Sequence, residues 1–533
     1  MTNEKIRIHI REMLWTGLFL ICLDGLLLGQ SHSATGAKYY ISPSGNDNNN
    51  GSQTKPWKSL DRLNRMVCKA GDKIFLQAGQ TFKGSIHFDW SGPGQASCSL
   101  SIGSYGEGKA VIDAGNQTAI ELKNGHQISV SNLMLIGSGR NHGNKGSGVF
   151  LFNSEKIELN NIEVSGFQKS GVEILDCADA RIQKINAHDN GFAGIAVEGT
   201  HYPTLTNHHI YIGYCKANNN PGDPSELNNH SGNGIIVGLA RKVLVEYCSA
   251  TNNGWDMPRK GNGPVGIWAW MADSITIQYC ISYRNRTAPG AMDGGGFDLD
   301  GGVTNSLVQY NLAYENEGYG YGIFQFSGAS PWHDNTYRYN ISFDDGNKTQ
   351  NGASVLWWNG SRDSSQFHDC YFYNNLLYNS KGYALGVVPN EYLSGHFLFL
   401  NNIIIGKDEL MSGGKIISER FFGNDWWSLE SGFKMNGNTN FSGWSAESGQ
   451  ESMNHRMVGL NVNPQLKNPV VPTLTDPRLL NQLTGLQLNA GSPLHNKGLD
   501  LQKLFQLHPG NTDFFGNAVP LGVGFEPGVC ELQ

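Results

Sequence analysis

The chain has 533 residues, a net charge of −7 and no basic run, which argues against nucleic acid as a partner. Glycine is abundant (68 residues) and only 16% of residues are charged, a balance that favours short strands and tight turns over long helices. Nine cysteines in a chain of this length do not make a disulfide scaffold, and whether Cys68 and Cys98 pair is left open by the sequence.

At the N-terminus, Lys5, Arg7 and Arg11 precede an apolar run from Met13 to Leu28 that is interrupted by Asp24. Small and polar residues follow, so residues 1–37 read as a signal peptide with cleavage near 29–37. Cys22 after Ile21 makes a poor lipobox. No later stretch is apolar enough to cross a bilayer, so the mature chain is expected to be exported (periplasmic, cell-surface or extracellular) and monomeric, with no transmembrane span.

Residues 38–110 read as an N-terminal cap with the first coils. Within them, Ser59 to Val67 has the pattern of a short amphipathic helix with Leu60, Leu63 and Val67 on one face, suited to capping a stack of strands. From about residue 111 to 405 the sequence repeats. Gly-apolar-x-apolar-x recurs from Gly148, Gly171, Gly194, Gly234, Gly266, Gly296 and Gly322, at spacings of 23, 23, 40, 32, 30 and 26 residues. A second motif runs in step, with Asn161, Asn186, Cys215, Cys248, Cys280, Asn311, Asn340, Asn375 and Asn402 each following a short strand. Two phase-locked motifs imply stacked coils, hydrogen-bonded at about 4.8 Å per step. The expected fold is all-β: a single-stranded right-handed parallel β-helix with an N-terminal capping helix. Cys215, Cys248 and Cys280 then read as small buried hydrophobes in an asparagine ladder. Residues 406–533 read as the last coils and a C-terminal closure.

In the Gly-apolar-x-apolar-x strand the two x positions face outward and stack on one ribbon. Those pairs are Phe150/Phe152, Glu173/Leu175, Ala196/Glu198, Ile236/Gly238, Trp268/Trp270, Asp298/Asp300 and Phe324/Phe326. The segment 293–302 carries Asp293, Asp298 and Asp300. Two same-face carboxylates on one strand have Cα atoms about 6.5–7 Å apart, which suits an acid and a base flanking a glycosidic bond. Trp268, Trp270, Phe324 and Phe326 become sugar platforms on the flanking coils. Glu198 on the ribbon, and Arg259, Lys260 and His230 in the insertions beside it, are further candidate substrate contacts.

Tyr40-Ile-Ser-Pro-Ser-Gly-Asn-Asp, Lys55-Pro-Trp-Lys-Ser-Leu, the asparagine-laddered coils and the Ser492-Pro ending resemble secreted bacterial right-handed β-helix proteins of the pectate-lyase-like superfamily, which holds polysaccharide lyases and β-helix glycoside hydrolases. The polygalacturonase pattern is not followed: Asn511-Thr-Asp lies in the tail, Asp344-Asp stands alone and no Arg-Ile-Lys is present. The resemblance implies a polysaccharide or oligosaccharide substrate. Three readings follow. The first is a glycoside hydrolase without a cofactor, using Asp298, Asp300 and Asp293. The second is a Ca²⁺-dependent uronate lyase, with those aspartates on the metal and Lys260 or Arg259 as the base. The third is a non-catalytic glycan-binding protein.

Overall fold

The computed structural model describes residues 36–91, 99–349, 351–388, 394–414, 416 and 418–532. The signal-peptide reading and Cys98 lie outside these residues, apart from the boundary positions 36 and 37. Cys68 itself is disulfide-bonded.

Among the described residues, thirty-five strands form one sheet in which each strand pairs, parallel, with its counterpart one coil away. This is the right-handed parallel β-helix expected from the repeats. Each coil contributes an alternating strand whose inward residues meet inside the solenoid, as in Gly266-Ile-Trp-Ala-Trp, where Ile267 and Ala269 are fully buried. Aromatics stack inside as well: Phe297 lies on Tyr321 at 5.3 Å with the rings 8° apart. The N-terminal helix is shorter than expected. It spans Leu60–Asn64, capped by the Ser59 side chain, with Leu60 and Leu63 buried. Val67 falls beyond the helix and is 72% exposed, so it takes no part in the cap.

The ladder is real but shifted at its start. Cys215, Cys248 and Cys280 are buried free thiols, and the Cys215 and Cys248 amides each lie 3.4 Å from the sulfur one coil on. The Cys280 amide donates to Asn311 Oδ1 at 2.9 Å, and from there Asn311, Asn340, Asn375, Asn402 and Asn424 each donate side-chain amide protons to the next coil. Asn186 pairs with Lys216, one place out of step with Cys215, so it stands outside the ladder. Asn161 bonds instead to Asn132 on the outside of the turn.

A second ladder, which the repeat reading misses, runs through Asn190, Asn220, Asn253, Asn285 and Asn316. Each ladder ends on an acid. Asn316 donates to Asp345 and Asn424 to Glu451. An amide column donating in one direction needs an acceptor at its end, and a carboxyl group supplies one. Among the described residues no helix is long and apolar enough to cross a membrane.

Candidate active site

The strand Gly295–Leu299 sits between Val265–Gln278 and Tyr319–Gln325. On the N-terminal side the register is the expected one, with Trp268 opposite Asp298. On the other side it differs by two residues. Asp298 lies opposite Gly322, which brings Phe324 level with Asp300 and moves Phe326 beyond the strand. Gly320-Tyr-Gly-Ile-Phe and Gly322-Ile-Phe-Gln-Phe both fit the repeat. Packing selects the first, because Tyr321 can then stack on Phe297 and place its hydroxyl 2.9 Å from the Asn311 carbonyl. Gln325 accepts from the Gly302 amide and donates to the Ser330 carbonyl.

The shift places a glycine against the most buried acid. A Cβ on Gly322 would lie 2.9 Å from Asp298 Cγ and 2.8 Å from the Phe324 and Tyr319 rings. The Gly-rich run before Asp298 is explained in the same way: a Cβ on Gly295 would lie 2.0 Å from the Tyr319 ring. The Tyr319 ring therefore sits close against Gly295, and its hydroxyl donates to Asp298 Oδ2 at 3.3 Å. Gly322→Ala is expected to displace the Asp298 carboxyl and cut turnover at least tenfold. The check is kcat/KM beside a far-UV circular dichroism spectrum that stays native; unchanged turnover would contradict the assigned packing.

Asp293, Asp298 and Asp300 line one cavity of about 1180 Å³. Its walls include Trp268, Trp270, Phe324, Phe326, Trp358 and His230. Burial, and then the charges of Asp300 and Asp293, push the Asp298 carboxyl well above the usual carboxylate range. Its Oδ1 is buried without a hydrogen-bond partner. Asp300 is half-buried and is pushed up to about 7 by burial, with the Gly301 amide bonded to Oδ1 pulling the other way. Asp293 is raised to about 6 by burial and is held by the Gly263 amide at 2.6 Å.

Around the acids, the Trp268 indole donates to Asn233 Oδ1 at 3.1 Å. The Asn233 side-chain amide donates to His230 Nδ1 at 3.0 Å, which leaves the proton on Nε2 of the neutral ring. Burial lowers the His230 imidazole to about 4, so at neutral pH it is a hydrogen-bond donor and not a cationic acid. Trp270 donates to Glu198, skipping the coil between them at Gly238, where a Cβ would lie 2.2 Å from the indole nitrogen. Burial raises Glu198 to about 8. Glu198 thus supports the Trp270 wall from behind and is not among the cavity-lining residues.

Arg259 and Lys260 do not line the cavity either. Arg259 donates to the Asn228 carbonyl at 2.8 Å, and Lys260 is exposed. The cations that do line it are Arg286 and Lys348, the latter 3.6 Å from Glu317. Sequence reasoning missed Tyr319, Trp358, Leu356 and Lys348. Trp358 stands opposite Phe324 on Ala353–Asn359. The signal there was the alternation of Val355 and Trp357 inward with Leu356 and Trp358 outward, which the fading repeat obscured. Among the described residues, one group of three or more His, Cys, Asp or Glu side chains brings its ligand atoms within 4.8 Å of one another, and it is Asp179, His208 and His209, not the three aspartates.

Residues 39–352 match the Pel9A-like, right-handed β-helix region. The chain belongs to this family. The Pel9A-like region contains every residue of the aspartate cluster. Among solved structures the chain resembles a GH136 lacto-N-biosidase from Eubacterium ramulus at 20% identity and TM-score 0.48, covering 71% of this chain and 68% of that one. It also resembles the pectate lyase Pel9A at 15% identity and TM-score 0.44, covering 93% and 96%. A third is the catalytic domain of a GH87 α-1,3-glucanase, at 13% identity and TM-score 0.40, covering 75% and 66%. No curated protein matches in sequence.

Proposed function

We propose that this Pel9A-like protein is a carbohydrate-active enzyme, specifically a glycoside hydrolase that cleaves a polysaccharide or oligosaccharide in the aspartate cavity. The observation that carries the reading is two accessible carboxyls, Asp293 and Asp300, raised to about 6 and about 7 in an aromatic-walled cavity with a third, neutral acid behind them. A glycosidase needs one protonated and one ionised carboxyl at working pH. Asp300, with the higher value, is the general acid that protonates the leaving oxygen. Asp293, ionised at lower pH and held by the Gly263 amide, is the base or nucleophile. Asp298 is 2% exposed and stays neutral, holding the Tyr319 hydroxyl.

The cavity exceeds the roughly 300–1,000 Å³ of common small-molecule pockets, which suits an oligosaccharide segment. Indole and phenyl faces pack against sugar C–H faces while carboxyls take the hydroxyls. Family membership is consistent with a carbohydrate substrate.

The lyase reading is weaker on this geometry. Calcium takes roughly six to eight oxygens at about 2.3–2.6 Å. The three aspartates do not gather to such a spacing, and Asp298 and Asp293 each have an oxygen occupied by an internal donor. The residues present therefore do not fit that ion. Arg259 and Lys260, the expected proton-abstracting bases, are not among the lining residues, where the cations are Arg286 and Lys348.

A panel of polysaccharides assayed for reducing ends and for ultraviolet absorbance of unsaturated products, with and without chelator, tests this. Reducing ends without absorbance, resistant to chelator, are expected. Chelator-sensitive absorbance would replace the hydrolase by a lyase, and glycan binding without turnover would leave a binding protein. On a cleaved substrate, kcat/KM should follow a bell with limbs near pH 6 and 7. Activity rises as Asp293 ionises and falls as Asp300 loses its proton. A profile flat from pH 5 to 8 would contradict these roles.

A further inference from the structure

Away from the cavity, one edge of the solenoid turns through left-handed residues stacked coil upon coil, including Lys156, Asp179, His209 and Lys242 at φ 55°, 51°, 56° and 55°. Because Ala178 is opposite His208, Asp179 and His209 occupy the same turn position in adjacent coils. His209 Nδ1 lies 3.2 Å from Asp179 Oδ1 and 3.3 Å from His208 Nδ1. The two imidazoles meet at 84° with centroids 5.0 Å apart, so their Nδ1 atoms converge while the ring bodies diverge.

The same edge provides an internal comparison. His333 with Asp334, His368 with Asp369, and His396 with Asp369 form ordinary imidazole–carboxylate hydrogen bonds at 2.7, 2.7 and 2.6 Å. The Asp179–His209 contact is longer, and His209 Nδ1 faces both a carboxylate oxygen and a second ring nitrogen, two contacts that one proton on Nδ1 does not satisfy as ordinary hydrogen bonds. Separations of 3.2 and 3.3 Å instead match the edges of a tetrahedral shell. Metal–nitrogen and metal–oxygen bonds of about 2.0–2.2 Å give ligand-to-ligand edges of about 3.3–3.6 Å. All three ligand atoms lie within 4.8 Å of one another, and the Asp179 and His209 side chains are about half exposed, leaving room for entry and for a water as fourth ligand.

We propose that Asp179, His208 and His209 form a surface site for a divalent transition-metal ion of the Zn²⁺ or Ni²⁺ type. Two imidazoles and one carboxylate are borderline donors that suit such ions better than calcium or magnesium. The site lies directly after the loop 199–206. That loop carries Tyr202, which stacks on Trp270 at 6.4 Å and donates to the Gly328 carbonyl. A bound ion would tie the end of this loop to the preceding coil through Asp179, next to Asp176, which already accepts from Thr200 and Thr206.

The test is isothermal titration of the full, tag-free chain with Zn²⁺ and with Ni²⁺ alone, beside thermal melts. The wild type is expected to bind one equivalent and to melt higher with metal. His209→Ala and Asp179→Asn should each weaken binding at least tenfold and abolish the melt shift, while His368→Ala leaves both intact. Circular dichroism confirms that the variants fold. Absence of saturable binding would overturn the site. So would binding that survives His209→Ala and Asp179→Asn, or that is lost with His368→Ala.

Discussion

Asp300→Asn is expected to lower kcat/KM on the natural polysaccharide by roughly 10²–10⁴-fold with little change in glycan affinity. The size of the effect should depend on the leaving group. A general acid matters most when the departing oxygen is a poor leaving group, so an activated aryl glycoside should lose far less. Asp293→Asn should impair both substrates alike, because attack at the anomeric carbon is needed whatever departs. The half-exposed position of Asp300, its value near 7 and the single Gly301 amide on its carboxylate are what assign it the proton. Equal losses on both substrates in Asp300→Asn would exchange the two roles.

Glu451→Leu is expected to be the most destabilising substitution at the ladder ends. It leaves one N–H of the buried Asn424 side-chain amide, 2.7 Å from Glu451 Oε1, and the Trp426 indole N–H, 2.8 Å from the same oxygen, without an acceptor, while the other Asn424 N–H keeps the Phe399 carbonyl. Each orphaned donor costs about 1–3 kcal/mol, so the total should reach about 3 kcal/mol or more by denaturant unfolding. Glu451→Gln keeps an acceptor and should cost much less.

The two variants also separate through pH. Burial raises Glu451 from its ordinary value of 4.5 to about 7 and Asp345 from 3.8 to about 7. A carboxyl whose folded pKa is raised binds its proton more tightly in the folded state. Its contribution is fully present below the unfolded pKa and is lost as pH rises through the folded one. Wild-type stability should therefore fall between about pH 4 and 7. For Glu451 alone the change is of order 3 kcal/mol, at about 1.4 kcal/mol per pKa unit. Glu451→Gln should remove that part of the slope. A stability that climbs from pH 5 to 7 in the wild type would contradict the buried neutral acids.

Much of this was legible in the sequence because a solenoid repeats its physics once per coil. Gly-apolar-x-apolar-x fixed the inward and outward faces from Gly148 to Gly296, and the register through Trp268 and Asp298 follows it. It failed at Gly320, where two overlapping copies of the motif compete and only the fit of Tyr321 against Phe297 decides. Asn186 was misplaced because a ladder position is defined by its hydrogen-bond partner, and there the ladder position belongs to Ile185, one residue earlier. Glu451 and Asp345 were invisible as ladder ends, since an acid at the end of an amide column has no period to announce it. Tyr319 was missed because its role depends on Gly295 having no Cβ, a contact between coils that no local pattern encodes. The three aspartates were found together because they share one segment, whereas their separate protonation states came from burial.

The measurement that tests the central claim most directly is a crystal structure of Asp300→Asn with an oligosaccharide from the panel. A sugar ring between the Trp268 and Trp270 wall and the Phe324 and Trp358 wall is expected, with the glycosidic oxygen within hydrogen-bond distance of residue 300 and the anomeric carbon facing Asp293. An oligosaccharide lying on another ribbon, or in this cavity with its glycosidic bond away from both residues, would contradict the assignment of this site as the catalytic one.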